Sequence, residues 1–252
     1  MDKRILKQTV IASVFFIVIA VPVYFRFFDR PAAPPPAPAI GPPEILLQKL
    51  FKVDEFDYDF LVQIRNPNVY FGASNVVYEF RLFDAAGQTV FAKKGATFLL
   101  PGQTRHEIIS PLRPAASAAG FDFRVIEADW QKADQFVSPG LLSVKNQPYS
   151  EVKEPERGYS KISGSISNDS NFDFEKVDVY VVLFDDRNDP IAVGKTDIRT
   201  MLAKTERFFE VKWFKPFAGS VSGLEINPYT NVLRNDNFIK EHGGQEKFQK
   251  FY

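Results

Sequence analysis

Tyr78-Glu79-Phe80-Arg81-Leu82-Phe83-Asp84 is answered downstream by Val179-Tyr180-Val181-Val182-Leu183-Phe184-Asp185. Both stretches close on Leu-Phe-Asp and run straight into a polar turn, Ala85-Ala86-Gly87-Gln88 in one and Asp186-Arg187-Asn188-Asp189 in the other. Side chains alternate across a strand, so Tyr78, Phe80 and Leu82 share one face, as Val179, Val181 and Leu183 do in the second stretch. The chain therefore reads as two related β domains.

Working outward, Tyr58, Phe60, Val62 and Ile64 alternate with Asp59, Leu61, Gln63 and Arg65, and this strand ends on Asn66-Pro67-Asn68, a turn signal. Gly87 turns the central strand into Thr89–Lys93, Leu99-Leu100-Pro101-Gly102 makes another turn, and 107–110 and 120–126 supply further strands around a small-residue loop at 115–119. Glu44–Val53 suits either a short helix or an entering strand. The second half keeps the order. Phe60–Asn66 corresponds to Ile162–Asn168, Leu82 to Leu183, Leu100–Arg105 to Leu202–Arg207 and Phe121 to Leu224, at offsets of 101 to 103 residues. Chance alternation of apolar residues would not also keep the turns and the asparagine in register. The expected fold is all-β, two tandem immunoglobulin-like antiparallel β-sandwiches, at 45–138 and 156–233, joined by a linker at 139–155 and followed by a tail at 234–252.

An asparagine-ended strand, then Phe-x-Leu-aromatic-Asp with a hydrophilic turn, then a Leu-Pro-Gly-like turn before a strand, resembles the FxLYD domain. Phe80-Arg81-Leu82-Phe83-Asp84 carries Phe where the motif has Tyr, Val181-Val182-Leu183-Phe184-Asp185 also lacks the first Phe, and Ala203-Lys204 stands in place of Pro-Gly. That family is similar to the group-two late-embryogenesis-abundant fold, an immunoglobulin-like sandwich of roughly 100 residues. The resemblance implies an exported or membrane-tethered binding or scaffolding domain without assigned catalysis, and it transfers no functional residue.

Before the β domains, Met1–Lys7 carries Lys3, Arg4 and Lys7, and Gln8–Phe25 has no charged residue. Eighteen residues make roughly 27 Å of helix, close to the hydrocarbon thickness of a bilayer. Residues 1–30 are expected to be a cytoplasmic tip and transmembrane anchor, with Gln8, Phe16, Pro22 and Phe25 in the span and Pro22 near its end, where a lost backbone hydrogen bond costs least. A cleaved signal peptide shares the basic start and apolar run. Against it, bulky Tyr24-Phe25-Arg26-Phe27-Phe28 occupies the place of a small-residue cleavage site. Positive charge before the span puts the N-terminus in the cytoplasm and the β domains outside. Residues 31–44 form a proline-rich spacer, extended as polyproline II.

Composition narrows the function. There is no Cys, which excludes disulfides, thiolate zinc sites and a cysteine nucleophile, and 31 basic residues balance 31 acidic ones, so no net field recommends nucleic acid. Asp185, Asp186, Asn188 and Asp189 crowd one turn, and Asp54, Glu55, Asp57 and Asp59 another stretch, yet Asp and Asn favour turns through their own backbone and Arg187 would repel a cation. His106 and His242 stand apart from any nucleophile motif. No catalytic, cofactor or metal residue is expected. Core packing is favoured for Trp130 and Trp213, and Phe172 and Phe174, set among Asn171, Asp173 and Glu175, are the candidate partner contacts. In the tail, Phe248, Phe251 and Tyr252 suit a docking segment or a frayed end equally. The function expected is a membrane-anchored, non-catalytic binding or scaffolding protein. Its partners would be membrane lipid through the N-terminal helix and another envelope protein, with no small-molecule substrate identified. The alternative is a lipid or small apolar ligand held between the sheets, which 26 Phe would permit.

Overall fold

The computed structural model describes residues 40–133, 141–145, 149–151 and 157–237, together with positions 4, 7, 14–16 and 18. Two compact units divide the chain, Met1–Ala39 and Ile40–Tyr252. In the first, the described positions are helical and exposed, Phe16 among them at 76%. Gln8, Pro22 and Phe25 of the expected span lie outside the described residues. Among the described residues no helix is long and apolar enough to cross a membrane.

The second unit is all-β and antiparallel. Strands β1 (Glu44–Lys52), β2 (Tyr58–Arg65) and β5 (Thr104–Leu112) form one sheet in the order β1-β2-β5. A second sheet runs β4-β3-β6, from Thr89–Leu99, Phe71–Phe83 and Gly120–Lys132. These two sheets make the N-terminal pair. The C-terminal pair consists of β11-β10-β13 (Pro190–Met201, Phe174–Phe184, Gly223–Tyr229) and β12-β9-β7 (Glu206–Trp213, Ser160–Asn168, Leu142–Lys145), with β8 (Tyr149–Glu151) also on β9. Glu44–Lys52 is thus a strand, paired residue by residue with β2. The stretch expected as a linker contributes β7 and β8 to a sheet, and the start of the tail makes one 3-10 turn at Asn235–Asn237.

Alternation along each strand sets the layers. Phe60, Val62 and Ile64 face Val76, Phe80, Leu82 and Phe123 in the core of the N-terminal pair, where the Phe60 ring lies 4.4 Å from Phe80 and 5.1 Å from Phe121. Val177 and Val179, with Ile198 beside them in the same sheet, face Ile166 and Phe209 in the C-terminal pair, and Val181 and Leu183 continue that interior with Ile162 and Val211. The opposite faces of β2 and β10 are apolar too. Leu61 and Ile108 pack against Tyr180, Val182, Val193 and Tyr229, so the β1-β2-β5 sheet docks on the β11-β10-β13 sheet. Both are buried on two faces, and each large apolar side chain removed from water there contributes about 1.5–3 kcal/mol. Four sheets are stacked by three interiors.

Local geometry recurs down the chain. Asn66 is wholly buried; its Nδ2 donates to the carbonyls of Phe71 (2.7 Å) and Leu100 (2.9 Å), and its Oδ1 accepts from Asn68 N (2.9 Å). Asn168 does the same with the carbonyls of Phe172 (2.7 Å) and Leu202 (3.1 Å) and with Ser170 N (3.1 Å). Asp84 Oδ1 accepts from the amides of Ala86 and Gln88, as Asp185 Oδ1 does from Arg187 and Asp189. Gly102 holds φ at +63° in one turn, and Lys204, its counterpart, is forced to +57°.

Candidate binding cleft between the sheet pairs

In the β4-β3-β6 sheet, Tyr78 lies opposite Gly95. A Cβ on Gly95 would stand 2.4 Å from the Tyr78 ring, so only glycine lets the ring lie across β4. The phenol then reaches the edge of β5, where its OH donates to Glu107 Oε1 at 3.4 Å. From the other sheet pair the Tyr180 OH donates to the same carboxylate at 3.3 Å, and Arg105 Nη2 stands 3.5 Å from Glu107 Oε2. Arg105 is 1% exposed and lies 4.2 Å from the centre of the Phe98 ring and 4.4 Å from that of Tyr229. Its Nη1 donates to the Phe98 carbonyl at 3.1 Å. A buried guanidinium is tolerable only with this combination of carboxylate, carbonyl and ring faces.

The same contacts close the free edge of β5. His106 N–H donates to the Tyr229 OH at 3.1 Å, and the Ile108 carbonyl accepts from Lys195 Nζ at 2.8 Å. An unpaired strand edge invites another strand; here side chains of the C-terminal pair satisfy it. Burial and the Glu107 charge push the Tyr78 and Tyr180 phenols well above the ordinary tyrosine range, and burial lowers Lys195. His106 is also lowered by burial, opposed by Glu225 at 3.9 Å, while the side-chain amides of Gln63 and Asn227 stand 3.2 and 3.4 Å from its ring nitrogens.

Beside this cluster opens a cleft of about 750 Å³ whose walls come from both sheet pairs. Buried Tyr78, Thr97, Arg105, Glu107 and Tyr180 line it, with the more exposed Lys195 in its wall. Charged residues line it in equal number, five basic and five acidic, and Lys176–Asp178, Arg199–Asp197 and Arg234–Asp236 are ion-paired at 2.7, 2.5 and 2.7 Å. A second hollow of about 360 Å³ is more greasy, with Phe51, Ile191, Trp213 and Phe217 in its wall and Lys52 and Lys215 among its charged neighbours.

Phe174 is fully buried, which corrects the expectation that it meets a partner, and Phe172 is half-buried against the same core. The polar residues around them turn the chain inward: Ser170 is held by Asn168, and Asp173 Oδ1 accepts from Ala203 N at 2.7 Å. The large apolar side chains that do face outward include Phe208 (68% exposed) and Phe214 (67%). Trp213 is buried and Trp130 packs against the N-terminal core. In the acidic stretch Asp54 pairs with Lys215 at 2.9 Å and Asp57 with Arg113 at 3.0 Å. Among the described residues no group of three His, Asp or Glu side chains is placed to hold a metal ion. His242 and the aromatic end of the tail lie outside the described residues.

No family model matches the chain, and no curated protein matches it. Solved structures similar to it include the calcium binding domain CBD12 of CALX1.1, at 14% identity and a TM-score of 0.20, with 68% of this chain and 73% of that one covered. Another is red sea bream transglutaminase, at 10% identity and a TM-score of 0.25, with 75% of this chain covered but only 29% of that one.

Proposed function

We propose that this chain is a non-catalytic binding or scaffolding protein, anchored in a membrane by its N-terminal segment and carrying two FxLYD-like, immunoglobulin-like domains outside the cytoplasm. One observation carries the reading: Leu61 and Ile108 pack on Tyr180 and Val182, and Arg105 reaches Tyr229, so the sheet pairs are bound together by a buried interior. Two modules joined so hold a fixed distance and angle between the surfaces they present, which suits a scaffold better than an extended string of domains. The paired behaviour of Asn66 with Asn168 and of Asp84 with Asp185 supports one immunoglobulin-like unit used twice. The uncharged run Gln8–Phe25, behind Lys3, Arg4 and Lys7, supports a single-pass anchor with a cytoplasmic N-terminus, and another envelope protein is the partner this arrangement suits.

The test is photo-crosslinking of the full chain in intact cells, with the reactive group at Phe208. An adduct of one defined mass, retained in membranes after an alkaline carbonate wash, is expected. Release by the wash would remove the anchor, and adducts with no preferred mass would remove the scaffold.

A second reading has its own observation. Interlocked Phe60, Phe80 and Phe121 fill the space between the sheets of the N-terminal pair, and the hollow lined by Phe51, Ile191, Trp213 and Phe217 is the better place for a small apolar ligand.

A further inference from the structure

Residues 95–98 of β4 and 195–197 of β11 line the cleft one after another. A sheet face shows alternate residues, as β10 does with Lys176, Asp178 and Tyr180, so β4 and β11 turn their edges to the cleft. Each is an outermost strand of its sheet. In an antiparallel strand the N–H and C=O of one residue point to one side, and those of the next residue to the other. The Phe98 carbonyl leaves the sheet toward Arg105, so the backbone groups of Lys94 and Ala96 also point off the edge, while those of Gly95 and Thr97 face β3. Among the described residues nothing pairs with the free side of Lys94 or Ala96.

The two edges are guarded differently. On β11 the Val193 carbonyl points off the edge to Trp213, so the open groups there belong to Lys195, Asp197 and Arg199, whose charged side chains discourage another strand. On β4 the cleft meets Gly95 and Ala96, which have no bulk and no charge. The β4 edge is the open one.

The nearest chain able to reach it is the protein's own. Asn237 lines the cleft and is fixed there, its Oδ1 accepting from Lys176 N–H at 3.0 Å and its Nδ2 donating to Thr230 Oγ1 at 2.7 Å. The sequence runs on as Phe238-Ile239-Lys240-Glu241-His242 and then Gly243-Gly244, strand formers at the start and a breaker after them. Five extended residues span about 17 Å, enough to follow β4 from Phe98 back past Lys94. Leu233 and the Leu99 carbonyl both crowd Gly72, where a Cβ would stand 2.6 and 3.1 Å from them, so the chain arrives at the C-terminal end of β4. Continuing from there it runs antiparallel to β4 and carries Glu241 toward Lys93 and Lys94, neither of which is ion-paired among the described residues. Tethering at Asn237 gives this segment an effective concentration of about millimolar, which a free peptide or a second copy lacks.

We propose that residues 238–242 add to the free edge of β4 as a further antiparallel strand, pair with the backbone of Lys94 and Ala96, and roof the cleft. The pairing is independent of the membrane anchor and of any outside partner, so the crosslinking at Phe208 neither supports nor removes it.

Two measurements on the full chain in detergent test it. In the first, Ala96→Cys is combined in turn with Ile239→Cys, Lys240→Cys and Glu241→Cys, in a chain that otherwise has no Cys. Facing residues of paired strands lie within disulfide reach, so mild oxidation should close an intrachain bridge in at least one combination. Asp197→Cys, on the edge of β11, should close none with the same three. In the second, hydrogen exchange is read residue by residue. The amides of Lys94 and Ala96 should be protected in the parent. Since successive N–H groups point opposite ways, either Ile239→Pro or Lys240→Pro removes a donor from the new ladder, and at least one of them should speed exchange at Lys94 and Ala96 about tenfold or more. Gly95 and Thr97, bonded to β3, should be unmoved by both and so report that the sheet is intact. Unprotected Lys94 and Ala96 amides in the parent, or protection indifferent to both prolines, would overturn the proposal. So would bridges that form at Asp197→Cys instead, or bridges that join two chains, which would give the edge to a second copy.

Discussion

The guanidinium of Arg105 stacks on the ring of Tyr229, 4.4 Å from its centre, so the β5 edge of the N-terminal sheet pair is fastened to the last strand of the C-terminal pair. Its counterpart Arg207 donates to the Thr200 carbonyl at 3.1 Å, just as Arg105 does to Phe98, but at the exposed surface. One position, used twice, therefore meets two dielectric environments.

Arg105→Ala is expected to cost about 3–5 kcal/mol, because it leaves Glu107 buried without its cation. Arg207→Ala should cost under about 0.5 kcal/mol, as a surface change. Urea unfolding of the two variants decides the point. Equal costs would mean that the sheet pairs are not docked in solution.

Leu61 faces the second sheet pair, whereas its counterpart Ser163 lies on an outer face, opposite Glu210. Leu61→Ser should destabilise by about 2–5 kcal/mol through lost burial and the cavity left behind. Ser163→Leu should stay within about 0.5 kcal/mol. Thermal or chemical denaturation measures both, and a mild Leu61→Ser would contradict the shared interior.

Asn66 holds two carbonyls and one amide around a strand end that is wholly buried. Asn66→Ala should cost about 2–4 kcal/mol, since the carbonyls lose their donor. Asn66→Asp should do no better, because an ionised carboxylate has the size but no N–H to donate. Asn168→Ala is expected to match Asn66→Ala, and a large difference between them in denaturant midpoint would show that the two clasps are not equivalent.

His106 brings a pH dependence whose sign follows from burial. Its folded pKa lies below the ordinary 6.5, so the unfolded chain takes up a proton first and the folded state loses stability as the pH falls below about 6.5, until the folded pKa is passed. Above that value the residue is neutral in both states and contributes no slope. Denaturation midpoints at pH 7.5 and 5.5, for the parent and for His106→Gln, isolate the effect. The parent should lose more on acidification than the variant does, and parallel behaviour would refute the assignment.

Much of the fold could be read from local pattern. Period-two alternation placed the strands, and the repeated asparagine and Leu-Phe-Asp turns fall where the chain forms the same hydrogen bonds twice. Lys204 shows how far pattern reaches: it sits in the left-handed region that Gly102 occupies at no cost, so the turn survives the loss of its glycine. Phe174 was misread for a physical reason. Polar neighbours suggested an exposed loop, but Asn168, Ser170 and Asp173 satisfy the backbone of a tight turn that points Phe174 into the core. The cleft was not legible, since its lining is drawn from strands far apart in the chain.

By itself the amino-acid order determined the central strands of each half, though not β1, β7 or β8, and with them which face is apolar and where the chain must turn, because those properties depend on near neighbours and on the geometry of a single extended backbone. Leu61 and Ile108, apolar where Ser163 and Glu210 are polar, even marked the face that would be covered. Only the tertiary structure decided what covers it. Whether Arg105 is a buried, stacked cation or, like Arg207, a solvated one depends on which sheet lies across from it, and that is settled by packing between distant strands.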